Sequence, residues 1–303
     1  MQHNALFTDT LYFGLLQLDI TCDQRIPWRE EELRFFHADL APARRVFVSI
    51  SFVDDIETSP IESETDSTLI MHSPVMDVYQ AGRQEYRFYY SSTSRTQSPF
   101  AYSVGACVQT DNVSIYIRKI NGDCILPDRS LLYYMHIEKL LLDADALLLH
   151  SCYMEYQGRA ILLTAPSGTG KTTHSLLWQH LFGTRTVNGD RTLIQRVGED
   201  YYACGFFFHG SAPECENEHF PLDTIVIIRQ SEQDYLEEVK PARKFLLLFS
   251  ECTINDFVPA RVEAASSLLE DLLARVRVVV LHCTMNDSAA YLLKEYIDSH
   301  GTV

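Results

Sequence analysis

A glycine-rich turn between an apolar run and a helical pattern constrains this chain more than any other feature. Residues 165–172 read Ala-Pro-Ser-Gly-Thr-Gly-Lys-Thr, directly after the apolar run 161–163 and before a helical pattern over residues 173–181. This order of strand, glycine loop and helix is the context that a phosphate-binding P-loop requires. Ala165 departs from the strict pattern, which has a glycine there. The sequence predicts a nucleotide-phosphate site, and the alternative is a glycine-rich turn that binds nothing.

The residue types in this loop match what phosphate binding needs. Glycines leave room for backbone N–H groups to curl around phosphate oxygens, and the helix start adds the positive end of its dipole. Lys171 can reach the β- and γ-phosphates, and the Thr172 hydroxyl can ligate Mg²⁺. We predict ATP and Mg²⁺ as cofactors. The expected nucleotide contacts are Pro166, Ser167, Gly168, Thr169, Gly170, Lys171, Thr172 and Thr173.

The charge of the chain excludes some classes of partner. The formal net charge is −16, whereas nucleic acids and anionic membranes require a basic surface. The N-terminus lacks the basic start and apolar run of a signal peptide, and the eight cysteines form no CxxC pair. We therefore expect a cytoplasmic protein that binds neither nucleic acid nor membrane.

The hydrophobic pattern divides the chain into two parts. Residues 1–125 contain strand-like runs, over residues 11–20, 45–53, 84–90 and 113–118. Residues 126–303 alternate strand and helix patterns, beginning with a helix predicted from Asp128 through Ala146. We predict a mixed α/β chain, α+β overall, in which a smaller β-rich domain (1–125) precedes a P-loop domain (126–303).

A second candidate residue, Asp190, follows Thr172 by eighteen residues. Asp190 comes after the short strand-like pair Thr186-Val187 and the turn Asn188-Gly189. Phosphoryl transfer needs a carboxylate near the γ-phosphate, either to hold Mg²⁺ or to accept the proton of the attacking hydroxyl. An aspartate after a glycine is also a common turn residue, and spacing alone leaves both interpretations open.

Four segments together resemble the catalytic domain of HPr serine kinases. They are Leu-His-Ser-Cys at 149–152, Gln-Gly-Arg-Ala-Ile-Leu-Leu at 157–163, Pro-Ser-Gly-Thr-Gly-Lys-Thr at 166–172 and Asn-Gly-Asp-Arg at 188–191. That family shares its P-loop fold with ATP-dependent phosphoenolpyruvate carboxykinase. More narrowly, the chain resembles HPr kinase-related proteins of bacterial modified-peptide gene clusters, which also carry a β-rich N-terminal part and a tryptophan in the P-loop helix, here Trp178. The resemblance covers residues 145–300.

The resemblance implies roles for individual residues. Lys171 and Thr172 match the phosphate and Mg²⁺ contacts, and Asp190 matches the catalytic carboxylate, which is also a metal ligand candidate. His150 matches a histidine that approaches the site, although a core histidine at a strand start explains it equally well. Gly189 stands where HPr kinases usually have a second acidic residue, which leaves one carboxylate. The run of phenylalanines at 206–208 replaces a Pro-Trp segment of the relatives and predicts a core strand.

These residues support one leading function and two alternatives. The leading hypothesis is an ATP-dependent kinase that transfers the γ-phosphoryl group to a serine or other hydroxyl of a peptide, protein or small molecule. The first alternative is a non-catalytic nucleotide-binding regulatory module, and the second is a carboxykinase-like phosphotransferase. HPr kinases are hexameric, so the resemblance also allows a homo-oligomer.

Overall fold

An eight-stranded sheet forms the first part of the computed structural model, which describes residues 6–56, 67–90, 102–120, 122–123, 131–208 and 214–300. The spatial order is β1-β2-β3-β8-β7-β6-β5-β4, and only the β2–β3 and β3–β8 pairs are parallel. Burial alternates along β2 and β3, as the period-2 pattern predicts. The strands are β1 Phe7–Phe13, β2 Leu16–Cys22, β3 Arg44–Val53, β4 Thr68–His72, β5 Met76–Ala81, β6 Gln84–Tyr90, β7 Tyr102–Gln109 and β8 Asn112–Arg118.

A second sheet contains the remaining strands and closes on itself. Strands β9 and β14 are long enough to pair with different neighbours along their lengths, so the pairings run in a circuit β10–β9–β12–β13–β14–β10. Strand β11 lies on β9, and β16 and β15 extend the sheet from β14. The strands are β9 Ala146–Tyr156, β10 Arg159–Thr164, β11 Arg185–Asn188, β12 Arg191–Val197, β13 Asp200–Cys204, β14 His219–Gln230, β15 Tyr235–Glu237 and β16 Arg277–Cys283.

Helices cover both faces of the second sheet. Leu268, Leu269 and Leu272 of α6 pack on one face, and Trp178 of α4 and Leu293 of α7 pack on the other. The helices are α1 Glu30–Leu33, α2 Leu131–Tyr134, α3 Ile137–Leu142, α4 Lys171–Phe182, α5 Pro241–Phe249, α6 Pro259–Arg275 and α7 Asp287–Ser299. A 3-10 turn, Arg34–Phe36, follows α1. The predicted mixed α/β composition is confirmed.

Several local predictions were wrong. The strand expected over residues 11–20 is two strands, because Gly14 adopts a left-handed φ of 56° and turns the chain. The helix expected from Asp128 through Ala146 is broken at His136, whose φ is 55°, and Ala146 already opens β9. Asp128 itself lies outside the described residues.

The structure corrects two further predictions, one on the phenylalanine run and one on the last helix. Phe206 and Phe207 are buried as predicted, but they follow the end of β13 in irregular structure instead of forming a strand. The sequence also offers Asp287 or Ser288 as the cap of the last helix, whereas Asn286 occupies the N-cap position.

One hydrophobic cluster combines residues from both sequence segments. It contains Leu18 and Ile50 of the first sheet together with Leu140, Leu193 and Phe206. The boundary between residues 125 and 126 therefore stays a prediction. In the described ranges, no helix has both the length and the apolar character needed to cross a membrane.

Candidate functional site

The glycine-rich loop lies where three parallel strands end. Strands β10, β14 and β16 run in the same direction, and residues 165–170 connect the end of β10 to helix α4. The Gln230 side-chain amide, at the end of β14, donates a hydrogen bond to the Thr169 carbonyl oxygen over 3.2 Å. The side chain of Met285, just after β16, lies so close to Gly170 that an added Cβ would sit 2.6 Å from Met285 Cε. Carboxyl ends of parallel strands are the usual place for ligands in α/β sheets.

Two glycines in this loop have backbone conformations that other residues disfavour. Gly168 has φ 78° and Gly170, the N-cap of α4, has φ 120°. Pro166 and Ser167 are exposed, and so are Thr172 and Thr173 in the first turn of the helix. The loop therefore presents backbone and hydroxyl groups to solvent at a helix N-terminus, an arrangement that favours anions.

Lys171 is folded back onto the loop. Its side chain is buried, and Nζ donates a hydrogen bond to the Ala165 carbonyl oxygen over 2.6 Å. Burial lowers the pKa of Lys171, and the carboxylates of Glu251 and Asp190 act in the opposite direction. The ammonium group therefore interacts electrostatically with both carboxylates.

His150 lies between these two carboxylates. Its Nε2 is 3.5 Å from Asp190 Oδ1, and its Nδ1 is 3.1 Å from Glu251 Oε2. His150 is in the middle of β9, not at a strand start, and its side chain is 18% exposed, so it is not a fully buried core histidine. The structure thus brings the predicted residues His150, Lys171 and Asp190 to one place.

The position of Asp190 is determined by a buried asparagine and by β9. The Asn188 side-chain oxygen accepts hydrogen bonds from the backbone N–H groups of Asp190 and Arg191, over 2.9 and 3.0 Å. The Asp190 carbonyl oxygen accepts a hydrogen bond from the Ser151 N–H over 3.0 Å, next to His150. Asp190 is thus both a turn residue and a neighbour of the site, so the two interpretations of the sequence are compatible.

The surroundings of Asp190 favour its charged form. The hydrogen bond from His150 lowers the pKa of Asp190 despite partial burial, and the Arg191 guanidinium, 3.6 Å away, acts in the same direction. A charged carboxylate can accept a proton or ligate a cation. Mg²⁺ usually takes one or two protein carboxylates together with substrate phosphates, so Asp190 and the Thr172 hydroxyl suit it chemically. Among the described residues no cluster of three or more metal-ligating side chains occurs.

Sequence reasoning missed Glu251 and Arg191. Arg191 is adjacent to Asp190, and its guanidinium donates a hydrogen bond to the Thr253 hydroxyl over 3.1 Å. Glu251 follows helix α5, and its only sequence signal is a carboxylate after an amphipathic helical run. That signal is too common to indicate a site without the fold.

Comparisons with known proteins give likenesses to solved structures only. No protein-family model matches this chain, and a comparison with curated protein sequences found no match. Among solved structures, the chain is similar to the HPr(Ser) kinase/phosphatase from Coxiella burnetii, at 8% sequence identity and a TM-score of 0.32. The likeness covers 51% of this chain and 99% of that one. With so low an identity and a TM-score below 0.5, it assigns no role to any residue.

Proposed function

We propose that this protein is an ATP-dependent kinase that transfers the γ-phosphoryl group to a hydroxyl of a peptide, protein or small molecule. The observation that carries the proposal is the convergence of Lys171, Asp190 and His150 beside a glycine-rich loop at a helix N-terminus. A turn without a ligand has no need for a buried lysine that interacts electrostatically with two carboxylates. Phosphoryl transfer needs a cation and a carboxylate placed in this way.

Each residue has a defined task in this reaction. The exposed loop and the N-terminus of α4 bind the phosphates, and Lys171 exchanges its bond to the Ala165 carbonyl for phosphate oxygens. Asp190 orients the acceptor hydroxyl and takes its proton as the oxygen attacks phosphorus. Mg²⁺, held through Thr172 and Asp190, would neutralise charge on the β- and γ-phosphates. Most of the rate enhancement then comes from positioning and electrostatics.

Replacing the carboxylate of Asp190 tests the proposal. We expect Asp190→Asn to lower the rate of phosphoryl transfer by about 10²–10⁴-fold, the usual contribution of a general base. The affinity for ATP–Mg²⁺ should fall far less, since the loop and Lys171 remain. The measurement is transfer of labelled γ-phosphate to serine-containing peptides and, without an acceptor, to water, together with calorimetric ATP binding.

An exposed carboxylate away from the site provides the matched control. Asp200 lies at the start of β13, and Asp200→Asn should leave both binding and transfer unchanged. A wild-type protein that binds ATP–Mg²⁺ yet transfers phosphate to neither peptide nor water contradicts the kinase and supports a regulatory nucleotide-binding module. Transfer that survives in Asp190→Asn contradicts the role of Asp190.

A further inference from the structure

The Arg191 guanidinium is a second cation at the candidate site, besides Lys171. Its Nε lies 3.6 Å from Asp190 Oδ2. Burial lowers the pKa of Lys171 most, and the nearby Arg191 guanidinium adds to this effect, so the two cations repel each other. An anion that binds beside both relieves this repulsion. The site therefore offers two positive groups next to one carboxylate.

Backbone pairing and one hydroxyl hold Arg191 at this position. Arg191 opens β12 opposite His150 of β9, and its N–H donates a hydrogen bond to the Asn188 side-chain oxygen over 3.0 Å. Its Nη1 donates a hydrogen bond to the Thr253 hydroxyl over 3.1 Å. The Thr253 N–H in turn donates to the Leu148 carbonyl oxygen of β9 over 2.8 Å. The guanidinium is thus fixed by the segment that follows α5.

The ion pair with Asp190 leaves most donors of the guanidinium unused. A separation of 3.6 Å between Nε and Oδ2 is too long for a hydrogen bond, so the two groups attract each other without a bidentate contact. Arginine has five N–H donors in a planar fork, and within the described part of the chain only the Thr253 hydroxyl accepts one of them. The side chain is 30% exposed, so the remaining donors are accessible to an oxyanion such as a phosphoryl group.

We propose that Arg191 is a catalytic residue that binds the oxygens of the phosphoryl group during its transfer; this proposal rests on the proposed kinase function. The acceptor oxygen forms a bond to phosphorus, and its proton passes to Asp190. The bond from phosphorus to the leaving oxygen of ADP breaks, and its electron pair stays on that oxygen. Charge is then spread over the three equatorial oxygens of the transferring group, and the fork of Arg191 stabilises it. Thr253 is the positioning residue that fixes the fork.

Two substitutions separate the charge of Arg191 from its fork. Arg191→Ala removes both and should lower kcat about 10³-fold, as for other arginines that stabilise phosphoryl transfer. Arg191→Lys keeps the charge alone and should recover no more than about tenfold. The Kd of ATP–Mg²⁺ should change less than about threefold, because the contact forms in the transition state. Arg196→Ala, on the same strand and paired with Asp145, is the matched control and should leave kcat unchanged.

The hydroxyl of Thr253 gives a separate test of positioning. Thr253→Val keeps the shape of the side chain and removes the acceptor of the Arg191 hydrogen bond, so kcat should fall about tenfold. Thr253→Ser keeps the hydroxyl and should retain most of the turnover. Melting temperatures check that both variants are folded. Equal kcat values in the two variants would overturn the positioning role of Thr253.

A transition-state mimic keeps this inference separate from the kinase function. Aluminium fluoride with ADP–Mg²⁺ imitates the phosphoryl group in transfer, and calorimetry measures its binding without an acceptor. We expect fluoride to tighten ADP binding in the wild type and not in Arg191→Ala.

The outcomes decide between the two proposals. Unchanged kcat in Arg191→Ala, or equal tightening by fluoride in both proteins, would overturn the role of Arg191. If Arg191→Ala does not fold, the same comparisons with Arg191→Lys decide. A wild type that shows the tightening dependent on Arg191 but transfers phosphate to neither peptide nor water would overturn the kinase function and leave phosphoryl binding by Arg191 standing.

Discussion

At the scale of single residues, the turn before Asp190 depends on one buried amide. The Asn188 side chain is fully buried, and its nitrogen donates hydrogen bonds to the carbonyl oxygens of Phe206 and Phe208 over 2.6 and 3.2 Å. Its oxygen accepts the two N–H groups of the turn. The amide thus uses both its donors and both lone pairs, and it ties the turn to the phenylalanine segment.

Removing this amide should cost both stability and activity. Asn188→Ala leaves buried carbonyl and N–H groups unpaired, and we expect the free energy of unfolding to fall by about 2–4 kcal/mol. Transfer should fall as well, because Asp190 loses its fixed position. Urea unfolding checks the first effect, with Asn112→Ala at an exposed position of β8 as the control, expected within about 0.5 kcal/mol. Equal unfolding curves for the two variants would contradict this role.

The residues of the candidate site could be predicted from sequence only in part. The glycine loop has a local motif, so Lys171 and Thr172 could be assigned directly. His150 and Asp190 were identified through resemblance to a family, because their spacing alone left other interpretations open. Neither a local motif nor the family resemblance indicated Glu251. It follows Asp190 by 61 residues, and only the pairing of its segment with β9 places it beside His150.

At the scale of secondary structure, helix α4 is held to the sheet by an aromatic cluster. Trp178 is fully buried, and its ring packs edge-on against Tyr156 and Phe182 with centroids 5.4 and 5.1 Å apart. Its indole N–H has no hydrogen-bond partner among the described residues. The side chain therefore stabilises the helix through packing, and the N–H contributes nothing to that packing.

Truncating this side chain should loosen the helix that begins at the glycine loop. We expect Trp178→Ala to lower the free energy of unfolding by about 3–5 kcal/mol, the usual cost of removing a buried tryptophan. Trp178→Phe should cost about 1–2 kcal/mol, since it keeps a ring and removes an N–H that makes no bond. Thermal unfolding followed by circular dichroism measures both. Equal destabilisation of the two variants would indicate that the indole N–H makes a stabilising hydrogen bond.

The strands predicted from the sequence match the structure more closely than the helix predicted around residue 136. Alternating or continuous apolar runs located β3, β6, β8 and β10, because each buries a face whose pattern is local. The helix expected from 128 to 146 failed for a non-local reason. His136 turns the chain so that its ring lies 3.3 Å from Glu85 of the first sheet, and this distant partner is invisible in the helical periodicity.

At the scale of the whole molecule, a buried ionic network joins the first sheet to the second half of the chain. Glu85 and Arg87 of β6 pair with each other, and Arg87 also pairs with Glu138 of α3. Arg261 of α6 bonds to Glu85, and His136 packs against the same carboxylate. Neighbouring cations lower the pKa values of Glu85 and Glu138 although burial opposes this shift. The two halves therefore share charges that neither can bury alone.

This network should make the fold sensitive to acid. Burial lowers the pKa of His136 from 6.5 to about 4, with Arg87 acting in the same direction and Glu85 and Glu138 opposing it. The unfolded state thus binds more protons between these values, so stability is full above pH 6.5 and falls as the pH drops towards 4. At still lower pH, protonation of Glu85 and Glu138 reduces the stability of the fold further.

A neutral replacement isolates the histidine contribution. His136→Gln cannot titrate, so its melting temperature should vary less between pH 6.5 and 4 than that of the wild type. Its loss of stability at lower pH should remain, because the carboxylates are unchanged. Melting curves across this range make the comparison, and identical slopes for the two proteins would exclude His136 as the titrating group.

The closed circuit of strands also has a consequence for biosynthesis. The glycine loop emerges from the ribosome well before its neighbours: Gln230 follows Thr169 by 61 residues, and Met285 comes near the end of the chain. Until β14 is made, β10 has one free edge, and until β16 is made, β14 has another. The first sheet, in contrast, has all its strands by Arg118. The strands of the first sheet can therefore pair during translation, whereas the glycine loop gains its neighbours Gln230 and Met285 only in the nearly finished chain.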